Sequence, residues 1–73
     1  MLKRKNFQVE LGDRFSKAGD RYGRVWEVVY VWVAVDGITH ARLAVVGSQS
    51  DLRTVAAPVL ADTQFWEPVT RTI

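Results

Sequence analysis

A valine-rich run from Arg24 to Val35 meets Asp36-Gly37 and returns through Ile38 to Val46. β-Branched and aromatic residues at this density suit a pleated sheet. Asp-Gly between Val and Ile is a strong hairpin signal, because a type I′ turn needs two positive φ angles that Asp and Gly tolerate. A two-residue turn then sets the register: Val35 faces Ile38, Trp32 faces Ala41, Tyr30 faces Leu43 and Val28 faces Val45. Strand side chains alternate between faces. One face therefore carries Trp26, Val28, Tyr30, Trp32 and Ala34 with Thr39, Ala41, Leu43 and Val45, and is the better core. The other carries Val25, Glu27, Val29, Val31, Val33 and Val35 with Ile38, His40, Arg42, Ala44 and Val46. Glu27, His40 and Arg42 say that this second face meets water, yet it holds more branched aliphatics than a solvated surface needs.

The rest of the chain reads as further strands and loops. Phe7, Val9, Leu11 and Phe15 alternate with polar residues in a first strand, which Gly12-Asp13 bends or bulges. Ser16 to Gly23 is a charged, Gly-rich loop, and Gly47 to Asp51 a second loop. Leu52 to Ala56 is the fourth strand, Pro58 to Asp62 a helical turn opened by proline, and Phe65 to Val69 the last strand. Pro68 cannot donate to a ladder, so it belongs on an edge or at a bulge.

Seventy-three residues make one domain, near the size at which a single core only just offsets chain entropy. The expected division is a basic tail, 1–6, and a barrel domain, 7–73. The absence of cysteine excludes disulfides, Cys-based zinc sites and a thiol nucleophile. That suits a cytoplasmic protein. Charged residues interrupt the apolar hairpin well short of the roughly 20 residues that span a bilayer, so no membrane association is expected. The basic start Met1 to Phe7 has no apolar segment after it, and no secretory leader is expected. Residues 1–24 carry seven Lys or Arg against three acids, whereas residues 25–73 carry three Arg against five acids.

Gly12-Asp13-Arg14-Phe15, Val25-Trp26-Glu27-Val28, His40-Ala41-Arg42-Leu43 and Phe65-Trp66-Glu67-Pro68-Val69 follow the order loop, hairpin, strand, single turn, strand. This arrangement resembles an SH3-like small β-barrel, and the segments resemble short bacterial proteins of that type whose function is uncharacterised. The resemblance implies an all-β, five-stranded, strongly bent antiparallel barrel with a helical turn before the last strand. It carries no activity. The aromatic-rich loop that lines a proline-motif groove in SH3 domains is represented here only by Tyr22.

Catalysis finds little material. His40 is the sole histidine, a metal needs several converging ligands, and the five glycines are isolated turn formers rather than a phosphate loop. No enzyme, metal or cofactor is expected. Trp26, Tyr30 and Trp32 could stack bases, each worth roughly 1–3 kcal/mol, but their place beside Val28, Leu43 and Val45 favours the core. If Phe65 points inward, Trp66 points outward and becomes a contact residue.

Two functions remain. The first is a small non-catalytic protein-interaction module whose interaction face is Val29, Val31, Val33, Ile38 and Val46 with Trp66, docking on a protein partner or a second copy. The alternative is a nucleic-acid-binding barrel, with Lys3, Arg4, Lys5, Arg14, Lys17, Arg21 and Arg24 as candidate phosphate contacts. The composition favours protein over nucleic acid as partner.

Overall fold

The computed structural model describes residues 8–69. Five strands, β1 (Arg14–Lys17), β2 (Val25–Val33), β3 (Thr39–Val45), β4 (Ser48–Ala56) and β5 (Trp66–Pro68), form one antiparallel sheet in the order β4-β3-β2-β1-β5. A single helical turn, α1 (Ala57–Leu60), stands between β4 and β5 with Pro58 in its first turn. The all-β, five-stranded expectation holds. The sheet does not close, however, because β4 and β5 are its two edges and do not pair. Pro68 lies on edge strand β5, where its missing N–H interrupts no inner ladder.

The first strand is much shorter than alternation suggests. Glu10 O accepts from Asp13 N at 3.1 Å, and Asp13 Oδ2 accepts from Glu10 N at 2.9 Å, so residues 10–13 form a turn rather than a bulged strand. Gly12, with φ 87°, occupies the third position of that turn, which a type II turn reserves for positive φ. Leu11 is thereby thrown into solvent, whereas Val9 and Phe15 remain in the core. Part of the expected loop becomes strand in exchange: β1 runs on to Lys17.

The central hairpin departs from its expected register at two places. Ala34 N donates to Ile38 O and Gly37 N to Ala34 O, both at 2.9 Å, so Val35-Asp36-Gly37 is a three-residue loop with Gly37 at φ 82°. Pairs near the turn are accordingly Val33↔Thr39, Trp32↔His40, Val31↔Ala41 and Tyr30↔Arg42. The register then shifts between Val28 and Tyr30, leaving Val29 as a β-bulge before Val28↔Leu43, Glu27↔Ala44 and Trp26↔Val45. The bulge falls where β2 loses its neighbour on the other side. Val28 is the last residue bonded toward β1, accepting from Gly12 N and donating to Asp13 O.

The two-residue turn lies instead at Val46-Gly47, with Gly47 at φ 90° and Val45 paired to Ser48. β4 therefore begins at Ser48, inside the segment expected as a loop. The ladder shifts register between Ala44 and Val45, so Val45 pairs with Ser48 and Ala44 with Leu52.

Val9, Phe15, Trp26, Val28, Ala41, Leu43, Val55, Leu60 and Trp66 make the core, with Val31, Val45 and Ala57 packed against it. Leu43, Leu60 and Val28 are the largest side chains wholly removed from water, each contributing about 1.5–3 kcal/mol. Trp66 is 3 % exposed, so its expected role as an outward contact residue is overturned. Phe65, at 53 %, takes the outward position. The reason is that β5 starts at Trp66, whereas Phe65 ends the preceding turn, its N–H bonded to Asp62 O at 3.0 Å. Trp66 meets Trp26 in a T-shaped contact, centroids 6.2 Å apart.

Candidate functional site

Between the bulge and the turn, the outward side chains of the hairpin are Tyr30 and Trp32 from β2 and His40 and Arg42 from β3. This corrects the sequence reading, which placed both aromatics in the core. Tyr30 is 57 % exposed and Trp32 half-buried, while Val31 has turned inward against the core.

The four side chains form one cluster. Tyr30 stacks on Trp32 with centroids 5.4 Å apart and planes 28° from parallel; Trp32 stacks on His40 at 5.7 Å and 22°. The Arg42 guanidinium lies 5.8 Å from the Trp32 ring centroid. His40 is held in place by its Nδ1–H, which donates to Ile38 O at 2.9 Å. Arg42 has no acidic partner among the described residues. Neighbouring strands extend the patch: Ala44 and Leu52 pair on the same face, as do Arg42 and Thr54, and Leu52 is exposed.

The stacking has a chemical consequence. Trp32 stacks with both Tyr30 and His40 and lies beside Arg42, so less of its own ring face is open to a partner. A base needs a free ring face. An aromatic cluster beside an arginine and exposed aliphatics is instead the composition that dominates protein interfaces.

The expected valine face does not exist as one surface. Val29 is the bulged residue and is exposed; Val31 and Val33 line a cavity of about 280 Å³ with Val9, Thr39 and Ala57. Val33 and Ile38 are exposed at the turn end of the hairpin, and Val46 is exposed at the far turn, where its N–H bonds to Val25 O.

The candidate phosphate contacts are likewise dispersed. Lys3, Arg4 and Lys5 lie outside the described residues, as does the tail 1–6. Arg14 forms an ion pair with Glu27 at 3.1 Å, and Arg24 with Asp20 at 3.2 Å. Asp20 organises its loop: its carboxylate accepts from Tyr22 N at 3.0 Å and from Arg24 N at 3.3 Å. The Tyr22 N–H, together with the Arg24 contacts, holds that carboxyl below its ordinary 3.8, against a smaller opposing effect of desolvation. Arg21 and Lys17 remain exposed. No three His, Cys, Asp or Glu side chains among the described residues stand together to hold a metal ion. No helix among them is long and apolar enough to cross a membrane.

Fold and surface together define a small all-β domain whose open antiparallel sheet displays an aromatic and arginine cluster on its outer face. Comparison with protein-family models, curated proteins and solved structures finds no match for the chain.

Proposed function

We propose that the chain is a small non-catalytic protein-interaction module that docks through the outer face of β2 and β3, around Tyr30, Trp32, His40 and Arg42. The observation that carries this reading is a half-buried tryptophan stacked between two rings and beside a guanidinium on a solvent-facing sheet. Such an arrangement is rigid before binding, so little side-chain entropy is lost on contact. Tyr, Trp and Arg are also the residues that most often concentrate binding energy. A second copy is the partner tested first, since a self-complementary patch is the usual basis of a symmetric dimer.

Nucleic-acid binding draws less support, because Arg14 and Arg24 are engaged in ion pairs and Trp32 is already stacked with Tyr30 and His40. Analytical ultracentrifugation from micromolar to millimolar protein, with backbone NMR shifts recorded over the same range, tests the proposal. The expected result is concentration-dependent association that moves the amides of residues 30, 32, 40 and 42 and disappears in a folded Trp32→Glu variant. Retention of a labelled single-stranded oligonucleotide at low salt, lost in the same variant, would replace the protein reading with the nucleic-acid one.

A further inference from the structure

Where the sheet fails to close, a groove of about 360 Å³ separates β4 from β5. It contains Val55 and Trp66, both buried, and Val59 and Phe65, 40 % and 53 % exposed. Two cations, Lys17 and Arg53, also line it, and no carboxylate among the described residues does.

The register explains why these cations converge. Lys17 pairs with the buried Trp66, and Arg53 with the buried Leu43, so both occupy positions on the core side of the sheet. Neither can enter the core as a charge, and each emerges at the opening. Arg53 lays its guanidinium 5.6 Å from the Trp26 ring centroid. Neither has an ion-pair partner among the described residues.

The β4 side of the groove is an edge that no described strand pairs with. Alternate residues of an edge strand direct N–H and C=O groups away from their neighbour, a template for another strand. β5 is a poor template, being three residues long and containing Pro68. β4 has nine residues and no proline.

We propose that this groove binds an extended acidic peptide, which adds to β4 as a further strand. Its backbone pairs with the free edge over Arg53 to Ala56, its carboxylates meet Lys17 and Arg53, and its apolar side chains pack on Val59 and Phe65. The two cations act as a filter, repelling basic strands that the bare edge would otherwise accept. This site uses none of Tyr30, Trp32, His40 and Arg42 and goes beyond the function proposed above.

The test is a titration of the full chain, followed by backbone NMR, with a blocked hexapeptide alternating Glu and Val, its Lys–Val counterpart, and inorganic phosphate. The Glu–Val peptide is expected to shift the amides of residues 53–56 and slow their hydrogen exchange, while the Lys–Val peptide does neither. Lys17→Glu, an exposed change that the fold should tolerate, is expected to weaken binding about tenfold, within the range of a charge contact at an interface. Arg53→Gln should weaken it in the same direction, and Trp32→Glu should leave it unchanged, which separates this site from the outer face. No response to millimolar Glu–Val peptide, an equal response to the Lys–Val peptide, or displacement of the peptide by phosphate alone would each overturn the proposal.

Discussion

The chain holds Trp32 and Trp66 on strands, yet the structure gives them opposite environments. Replacing each by alanine separates the two. Trp66 is 3 % exposed and set edge-to-face with Trp26, so Trp66→Ala removes a buried indole and leaves a cavity, a change that costs about 3–5 kcal/mol. Trp32→Ala removes two surface ring contacts and one exposed cation–π contact, each at the low end of its range at about 0.5 kcal/mol, together about 1.5 kcal/mol. At roughly 0.05–0.15 kcal/mol per residue, a chain of 73 residues has about 4–11 kcal/mol in total. Trp66→Ala therefore consumes a large part of the stability, and Trp32→Ala a small part. Each kcal/mol moves the midpoint of a domain this size by about 4–8 °C. In thermal unfolding followed by the backbone far-UV circular dichroism, the midpoint should fall by about 6–12 °C for Trp32→Ala. For Trp66→Ala the shift should exceed about 12 °C. Equal losses, or the reverse order, would refute both the inward orientation of β5 and the outward orientation of the hairpin aromatics.

Gly37→Ala forces an L-residue to φ 82° where nothing crowds the new methyl, so the cost is purely backbone, about 1–2 kcal/mol by urea titration. A negligible loss would mean that residue 37 does not hold a positive φ in solution, which neither the observed loop nor a type I′ turn allows. The lowered Asp20 pKa predicts that its contribution to stability is fully present above pH 3.8, its ordinary value, and is lost as the pH falls through the lower folded-state value. An NMR acid titration should show the Tyr22 and Arg24 amides moving with the Asp20 carboxyl in that range; Asp20→Asn should abolish the coupled movement.

Much of the fold was legible because its signals are local. Val-rich alternation located β2 and β3, Pro58 located the start of the helical turn, and the missing N–H of Pro68 placed it on an edge. What escaped depended on contacts between distant residues. Glu10 to Asp13 looks like a bend in a strand until the Asp13 carboxylate is seen to bond the Glu10 amide. Lys17 and Arg53 are far apart in the chain, and nothing in their neighbourhoods signals that an unclosed sheet brings both to one groove.

The hairpin shows how a correct strand can display the wrong face. The expected inward sets Trp26 with Val28, and Thr39, Ala41, Leu43 with Val45, agree with the observed register. Residues 30–33, and Ala34 beyond them, are inverted. They lie between two irregularities of one residue each, the extra residue of the Val35-Asp36-Gly37 loop and the bulge at Val29. Because side chains alternate with period two, the loop reverses the parity of the end of β2 relative to β3, and the bulge restores it. The cost is small in backbone hydrogen bonds, and the effect on the surface is large. Without those two residues, Tyr30 and Trp32 would compete for the core and a row of valines would face water. With them, small Val31 packs against Ala41 inside, and the rings that the core could not hold are assembled outside with His40 and Arg42. The surface proposed for recognition is thus a product of backbone irregularity rather than of residue pattern.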